Sequence, residues 1–166
     1  MSPGFSIAPA ARGELPQIMA IYNEVIRNTT AVYSDREVTL EDREKWFDAK
    51  RREGYPVLAA ADSSGVVGFG TFGEFRAWPC YRQSVEHSVH VRADSRRCGI
   101  GRALVVALIE AAAVMEKHVM IAGIDAENVT SISLHERLGF EVVGHFREVG
   151  QKFGRWLDLK FMQRFI

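Results

Sequence analysis

Apolar residues recur along this chain at two spacings, every second position and every third or fourth, and each switch between them marks the boundary of a predicted element. The run FSIA at 5–8 predicts a short strand, and Leu15, Ile18, Met19, Tyr22, Val25 and Ile26 predict a helix from about Glu14 to Arg27. Thr39, followed by Asp42, starts a second helix over LEDREKWFDAKRRE, whose charged run from Asp42 to Arg52 reads as a solvated face ending at Gly54. PVLAAA and VVGFGTFGEF flank the turn DSSG as a hairpin, and YRQSVEHSVHV follows the loop RAWPC, so these strands are expected to pair antiparallel. Ile100, Leu104, Ala107, Leu108, Ala111 and Met115 mark a long helix, after which HVMIAGI has the apolar continuity of a buried strand. Asn128 caps a short helix over TSISLHERL that stops at Gly139, and EVVGHFREV and RWLDLKFMQRF close the chain as strands.

The resulting order is strand, helix, helix, three strands, helix, strand, helix, two strands. It predicts an α/β (α+β) sandwich in which a mixed sheet carries helices on its faces. No repeat, low-complexity run or Pro/Ser-rich linker interrupts it, so residues 1–166 read as one domain.

Composition narrows the function classes. Of 166 residues, 47% are hydrophobic and 25% charged, enough for a core that needs no metal or disulfide. The 21 basic and 21 acidic side chains cancel, which speaks against a general nucleic-acid partner. MSPGFSIAPAARGELPQ lacks the charged start and apolar stretch of a secretory leader, and no run of about 18 apolar residues occurs, so a cytoplasmic protein without a membrane partner is expected. Cys80 and Cys98, the only two thiols, suit a reducing compartment. His87 and His90 form an HxxH, but three residues apart in a strand they face opposite ways and cannot share an ion; no metal site is expected.

The most informative stretch is Arg96-Arg97-Cys98-Gly99-Ile100-Gly101-Arg102-Ala103, a glycine-rich turn from a strand into the long helix. Glycines admit close backbone approach, and the free amides and positive dipole end of a helix attract phosphate. The turn is not a P-loop, because no Lys and hydroxyl pair follows Gly101, and not a dinucleotide fingerprint, because Leu104 stands where a third small residue is required. A plain helix start remains the alternative.

The segment Arg-x-x-Gly-x-Gly resembles the acetyl-CoA pyrophosphate loop of the GNAT N-acetyltransferase superfamily, and the element order matches that fold, a mixed, mostly antiparallel twisted sheet of about seven strands flanked by about four helices. The resemblance implies acetyl-CoA as cosubstrate. It places Val89, His90 and Val91 against the pantetheine arm, the loop amides from Arg97 to Ala103 on the diphosphate, and Asn128 as a further cofactor contact, with His135 where many members have Tyr. Phe72-Gly73-Glu74-Phe75-Arg76, Tyr81-Arg82, Val85-Glu86-His87-Ser88-Val89, Leu134 to Phe140 and Lys152 to Trp156 are similar to the phosphinothricin acetyltransferase branch. That branch acetylates the α-amine of phosphinothricin, methionine sulfoximine or methionine sulfone. The resemblance also suggests a homodimer, with Trp156 and Phe161 on the last strand as contacts.

Acetyl transfer to an amine needs a base, since an amine of pKa well above 7 arrives protonated. Alternation along YRQSVEHSVHV puts Arg82, Ser84, Glu86, Ser88 and His90 on one face and Val85, His87, Val89 and Val91 on the other. Glu86 is the expected base, with a salt bridge to Arg82 or Arg76 as the competing explanation, and a backbone amide near Val89 is the expected oxyanion donor. His135 is the expected proton donor to the thiolate, against the alternative that it only packs or caps. Arg76 and Arg82 offer guanidinium forks for a substrate carboxylate or phosphinate, Tyr33, Phe75, Trp78 and Tyr81 offer an apolar wall, and Ser88 offers a polar contact. Two rivals stand beside this reading: the same fold acting on a protein N-terminus, lysine or polyamine, and a non-catalytic acetyl-CoA sensor.

Overall fold

Thr39 and Asp42 illustrate how locally the chain sets its elements. The Asp42 N–H donates to Thr39 Oγ1 at 3.2 Å and the Thr39 N–H returns a bond to Asp42 Oδ2 at 2.8 Å, closing a capping box at the start of the second helix. Losing such a cap costs about 1 kcal/mol. Asn128 does the same for the fourth helix, its Oδ1 accepting from the Ser131 N–H at 3.1 Å.

The computed structural model describes residues 4–166; residues 1–3, the start of the stretch read for a leader, lie outside the described residues. The elements are β1 (Ser6–Pro9), α1 (Leu15–Asn28), α2 (Leu40–Arg52), β2 (Val57–Asp62), β3 (Gly65–Glu74), β4 (Ser84–Val91), α3 (Ile100–Val114), β5 (Val119–Asp125), α4 (Val129–Arg137), β6 (Glu141–Lys152) and β7 (Arg155–Phe165). One seven-stranded sheet forms in the order β1-β2-β3-β4-β5-β7-β6, antiparallel throughout except between β4 and β5. The expected mixed sheet and its helices are therefore present, and β2, β3 and β4 pair antiparallel as predicted.

The α1–α2 pair covers one face, packing Leu15, Ile18, Ile21 and Phe47 onto Val57, Ala59, Val66 and Phe69. On the other face α3 and α4 bring Val105, Leu108, Ala112 and Ile132 against Phe72, Val85, Met120, Ala122 and Met162. Each fully buried Val, Leu, Ile, Phe or Met side chain contributes about 1.5–3 kcal/mol of transfer free energy. No helix among the described residues is long and apolar enough to cross a membrane.

Two local expectations change. Pro79–Tyr81 form a 3-10 turn closed by the Arg82 N–H on Pro79 O at 3.2 Å, because proline sets the turn's φ and has no N–H for a ladder. The strand thus begins at Ser84, and Arg82 leaves the polar row assigned to it. In α2, the charged run is not one solvated face: Arg43 and Phe47 are buried, Lys50 is half-buried, and all three point to the sheet. The Arg43 guanidinium lies 4.0 Å from the Tyr22 ring centroid and 4.7 Å from that of Trp46, so its charge rests on aromatic faces while its stem packs.

What positions the site is a split in the sheet. The β4–β5 pairing comprises only Ser84↔Val119, Val85↔Met120 and Glu86↔Ile121, although the strands run on to Val91 and Asp125. On its other edge β4 stays paired with β3 as far as Val91. Beyond Glu86 a gap opens between two adjacent strands.

Candidate active site

Backbone groups of a strand alternate between its two edges. The Arg92 N–H bonds Val67 O at 2.9 Å on the β3 side, so by parity His90 and Ser88 turn their amides to β3, while Val89 and Val91 turn theirs into the gap. This corrects the expectation for His90. Its backbone is spent on β3 opposite Phe69, and its ring is buried, with centroids 5.3 Å from both Tyr22 and Phe69. Burial first, then the charges of Arg43 and Arg96, push its pKa down to about 4.

The gap leads to the loop before α3. Arg97 at φ 64° and Gly99 at φ 83° both turn left-handed, a conformation glycine adopts freely, and the turn delivers the chain into α3 at Ile100. Gly99 has no side chain, so the first turn is left without a side-chain cap. The amides of Ile100, Gly101 and Arg102 precede the first intrahelical bond, which Ala103 N–H makes to Gly99 O at 3.0 Å. Ala103 therefore drops out of the expected set of phosphate amides. Arg96 is tied down: Nε bonds Val91 O at 3.2 Å and Nη2 pairs with Glu24 at 2.8 Å, which fixes the loop to the end of β4 and to α1. Glu24 was not singled out in the sequence. Cys98 is exposed in the same loop, and the Asn128 side chain is occupied as the α4 cap.

Glu86 stands at the last rung before the gap. Burial raises its carboxyl pKa, and the charge of Arg76 partly offsets that. Neither Arg76 nor Arg82 forms an ion pair with it among the described residues, so the competing salt-bridge explanation has no geometric support. Its Oε1 lies 3.0 Å from where a Cβ on Gly123 would stand, and the Phe161 ring lies 3.3 Å from the same spot. A cavity of about 280 Å³ is lined by Trp46, Lys50, Thr71, Phe72, Gly73, Glu74, Glu86, His87 and Ser88. Ser88, as expected, shares this opening with Glu86.

The aromatic candidates divide. Phe75 packs edge-on to Tyr81 at 6.0 Å and to Phe161 at 5.9 Å, and Arg76 lies over the Phe75 ring at 4.2 Å. Trp78 sits farther out, 6.5 Å from Tyr81, and Arg82 donates to Pro79 O at 3.3 Å. Tyr33 lies at the far end of β5: its hydroxyl donates to Asp158 O at 2.7 Å and lies 3.3 Å from Asp125 Oδ2, and burial together with Asp125 raises its pKa. Sequence reading missed Lys50, Gly123 and Phe161 as parts of this surface. Alternation in the last strand was the available signal for Phe161; Lys50 was hidden inside a charged run.

His135 is buried on α4. Its Nδ1 is 2.7 Å from Ser131 O and so carries the proton, which leaves Nε2 to accept from His87 Nε2 at 3.1 Å. His87 and His90 face opposite sides of β4, as predicted, and no cluster of three metal-ligating side chains occurs among the described residues.

A family model described as an acetyltransferase (GNAT) domain matches residues 9–161. The L-methionine sulfoximine/L-methionine sulfone acetyltransferase of Pseudomonas paraeruginosa (strain DSM 24068 / PA7) is 51% identical over 159 residues, 95% of this chain and 92% of that protein. Among solved structures, a ribosomal-protein-alanine N-acetyltransferase from Brucella melitensis superposes with a TM-score of 0.95 at 46% identity, covering 97% of this chain and 99% of the other. A GNAT superfamily phosphinothricin acetyltransferase from Sinorhizobium meliloti in complex with AcCoA also gives 0.95, at 34% identity over 98% of this chain and 89% of its own.

Proposed function

Because the chain belongs to the GNAT acetyltransferase family, we propose that it moves the acetyl group of acetyl-CoA to the α-amine of a small amino-acid analogue: methionine sulfoximine, methionine sulfone or phosphinothricin. One observation carries the chemistry: the Glu86 carboxylate, in no ion pair among the described residues and with a raised pKa, stands where β4 parts from β5. Acetyl-CoA supplies the activated acetyl group. The residues present fit it, since Val89 and the Val91 amide offer unspent backbone groups along the gap and Ile100, Gly101 and Arg102 offer free amides at a helix start, where an anionic diphosphate is favoured.

In this reading both substrates occupy the site together and transfer is direct. Glu86 takes the proton of the ammonium, directly or through a water, and its partial burial makes it a better base than an exposed carboxylate. The Val89 N–H faces the position where negative charge grows on the acetyl oxygen, and a fixed dipole there acts without reorganising. The proton that the attacking nitrogen still carries in the tetrahedral intermediate passes to the leaving thiolate by way of His135, whose Nε2 takes it up in place of the bond from His87 and then gives it to the sulfur. Arg76, close enough to act on Glu86, receives the α-carboxylate, which shares a carbon with the α-amine. Phe75, Tyr81 and Phe161 wall the side-chain methylenes.

The likeness to the Pseudomonas acetyltransferase supports these acceptors over a polyamine, whose positive charges call for acidic pockets. We further propose that residues 1–166 act as one domain in the cytoplasm and pair as a homodimer. Exposed Val143, Phe146, Phe153 and Trp156 on β6, β7 and the turn between them support the pairing.

The deciding assay is release of CoA thiol from acetyl-CoA with methionine sulfoximine, methionine sulfone, phosphinothricin, methionine, spermidine and a short peptide. Turnover of the first three with little from spermidine or peptide is expected. Turnover of only peptide or spermidine overturns the acceptor, and tight acetyl-CoA binding without turnover favours the sensor.

A further inference from the structure

Lys50 is a cation of the site that, among the described residues, no ion pair explains. Its Nζ reaches from α2 to the Phe72 carbonyl at 3.0 Å, beyond the end of β2 where β3 has lost its partner on that edge. The Tyr55 ring lies 5.3 Å away, and among the described residues no carboxylate pairs with Lys50. Burial depresses its pKa. An ammonium has three donors, and one carbonyl satisfies one of them. A half-buried cation left with unspent donors is costly unless something else supplies acceptors.

Position says what those acceptors belong to. The ammonium lies over Gly73, in the space that a side chain at that position would fill. Gly73 pairs with Glu86 across β3 and β4, and directly paired residues share a face of the sheet. Lys50 and Glu86 thus look onto the same cavity from adjacent strands without touching each other. Arg76 is the cation whose charge acts on Glu86, which suits it to the α-carboxylate that must lie beside the α-amine. The remaining polar group of the acceptor lies several bonds away on its side chain.

We propose that Lys50 is a specificity-determining residue whose ammonium donates to the side-chain oxygens of the acceptor, those of a sulfone, sulfoximine or phosphinate. This rests on the small amino-acid reading of the site given above. A thioether of the same length, methionine, has no such oxygens and leaves the ammonium as it is in the free protein. A site built to bond a polar group rejects an analogue that lacks it, which is a source of discrimination far larger than shape.

The test is the ratio of kcat/KM for methionine sulfone to that for methionine in the wild type, Lys50→Met and Gly73→Ala. Lys50→Met keeps the stem and removes the charge; Gly73→Ala keeps the charge and displaces it. Each is expected to lower the ratio about tenfold or more, the size of one hydrogen bond to a charged donor. Thermal unfolding and acetyl-CoA binding, measured alongside, identify folded protein. An unchanged ratio in both folded variants overturns the assignment. So does a Lys50→Met enzyme that instead loses its preference for methionine sulfone over its α-amide, which gives Lys50 the carboxylate. A wild type that turns over peptide but neither methionine nor its sulfone overturns the acceptor reading itself, and the assignment falls with it.

Discussion

The imidazoles of His87 on β4 and His135 on α4 stack with centroids 5.1 Å apart and planes 17° from parallel, joined by a 3.1 Å contact between their Nε2 atoms. Because His135 Nδ1–H is given to Ser131, the shared proton belongs to His87, whose Nδ1 is then an acceptor, buried and without a hydrogen-bond partner among the described residues. Burial, and next the neighbouring His135 and His90, hold the His87 pKa at about 3.

Acid should therefore unfold this protein early. In the unfolded chain His87 and His90 take up protons near pH 6.5, whereas in the fold they remain neutral down to about 3 and about 4. The unfolded state binds more protons through that window, so stability is full above about pH 6.5 and falls as pH drops toward the folded values. Thermal melts between about pH 7.5 and 4.5 should show a steady fall in Tm. His90→Phe, which keeps a ring between Tyr22 and Phe69, should flatten the slope; an equal slope would remove His90 from the linkage.

Glu86→Gln should lower turnover on the order of a hundredfold or more while acetyl-CoA still binds. It should also raise Tm at neutral pH. A carboxyl whose folded pKa lies above its unfolded one favours the fold only while protonated, and that contribution is lost as pH rises through the folded pKa. The gain should shrink below about pH 4, where wild-type Glu86 is also neutral. A variant that turns over normally would end the assignment of Glu86 as base.

Arg76 and Arg82 should separate in a pH–rate profile. The Arg76 charge lowers the Glu86 pKa, so Arg76→Ala should move the acidic limb of kcat/KM to higher pH and raise the acceptor KM about tenfold, with the acetyl-CoA KM changed far less. Arg82, held at the Pro79 turn, should leave the limb in place. A common shift for both variants would contradict the separate roles.

Lys152 should matter to stability rather than to chemistry. Only 5% exposed, it donates to Thr29 O at 2.7 Å and Val32 O at 2.8 Å, clamping the loop that carries Tyr33 onto β6. Lys152→Met leaves both carbonyls without that donor and should cost about 2–4 kcal/mol in urea unfolding. A loss under about 0.5 kcal/mol would mean that water replaces the ammonium at both carbonyls.

Much of this protein was legible along the chain. Apolar spacing defined seven strands and four helices in the order observed, the Thr39 and Asn128 caps started the helices they were expected to start, and alternation in β4 put Glu86 and Ser88 on one face. These features are local, since period, cap and turn each involve residues a few positions apart.

The sheet's split was not available in that way. It depends on β5 running parallel to β4 for three rungs and then departing, a relation between residues 84–86 and 119–121 that no local period records. Lys50 was misread for a related reason. In a hydropathy pattern its charge counts as solvent-facing, but its apolar stem packs inward and its ammonium finds a carbonyl at the ragged end of β3. Where a charged side chain ends depends on which acceptors the folded sheet leaves open, and only the tertiary structure decides that.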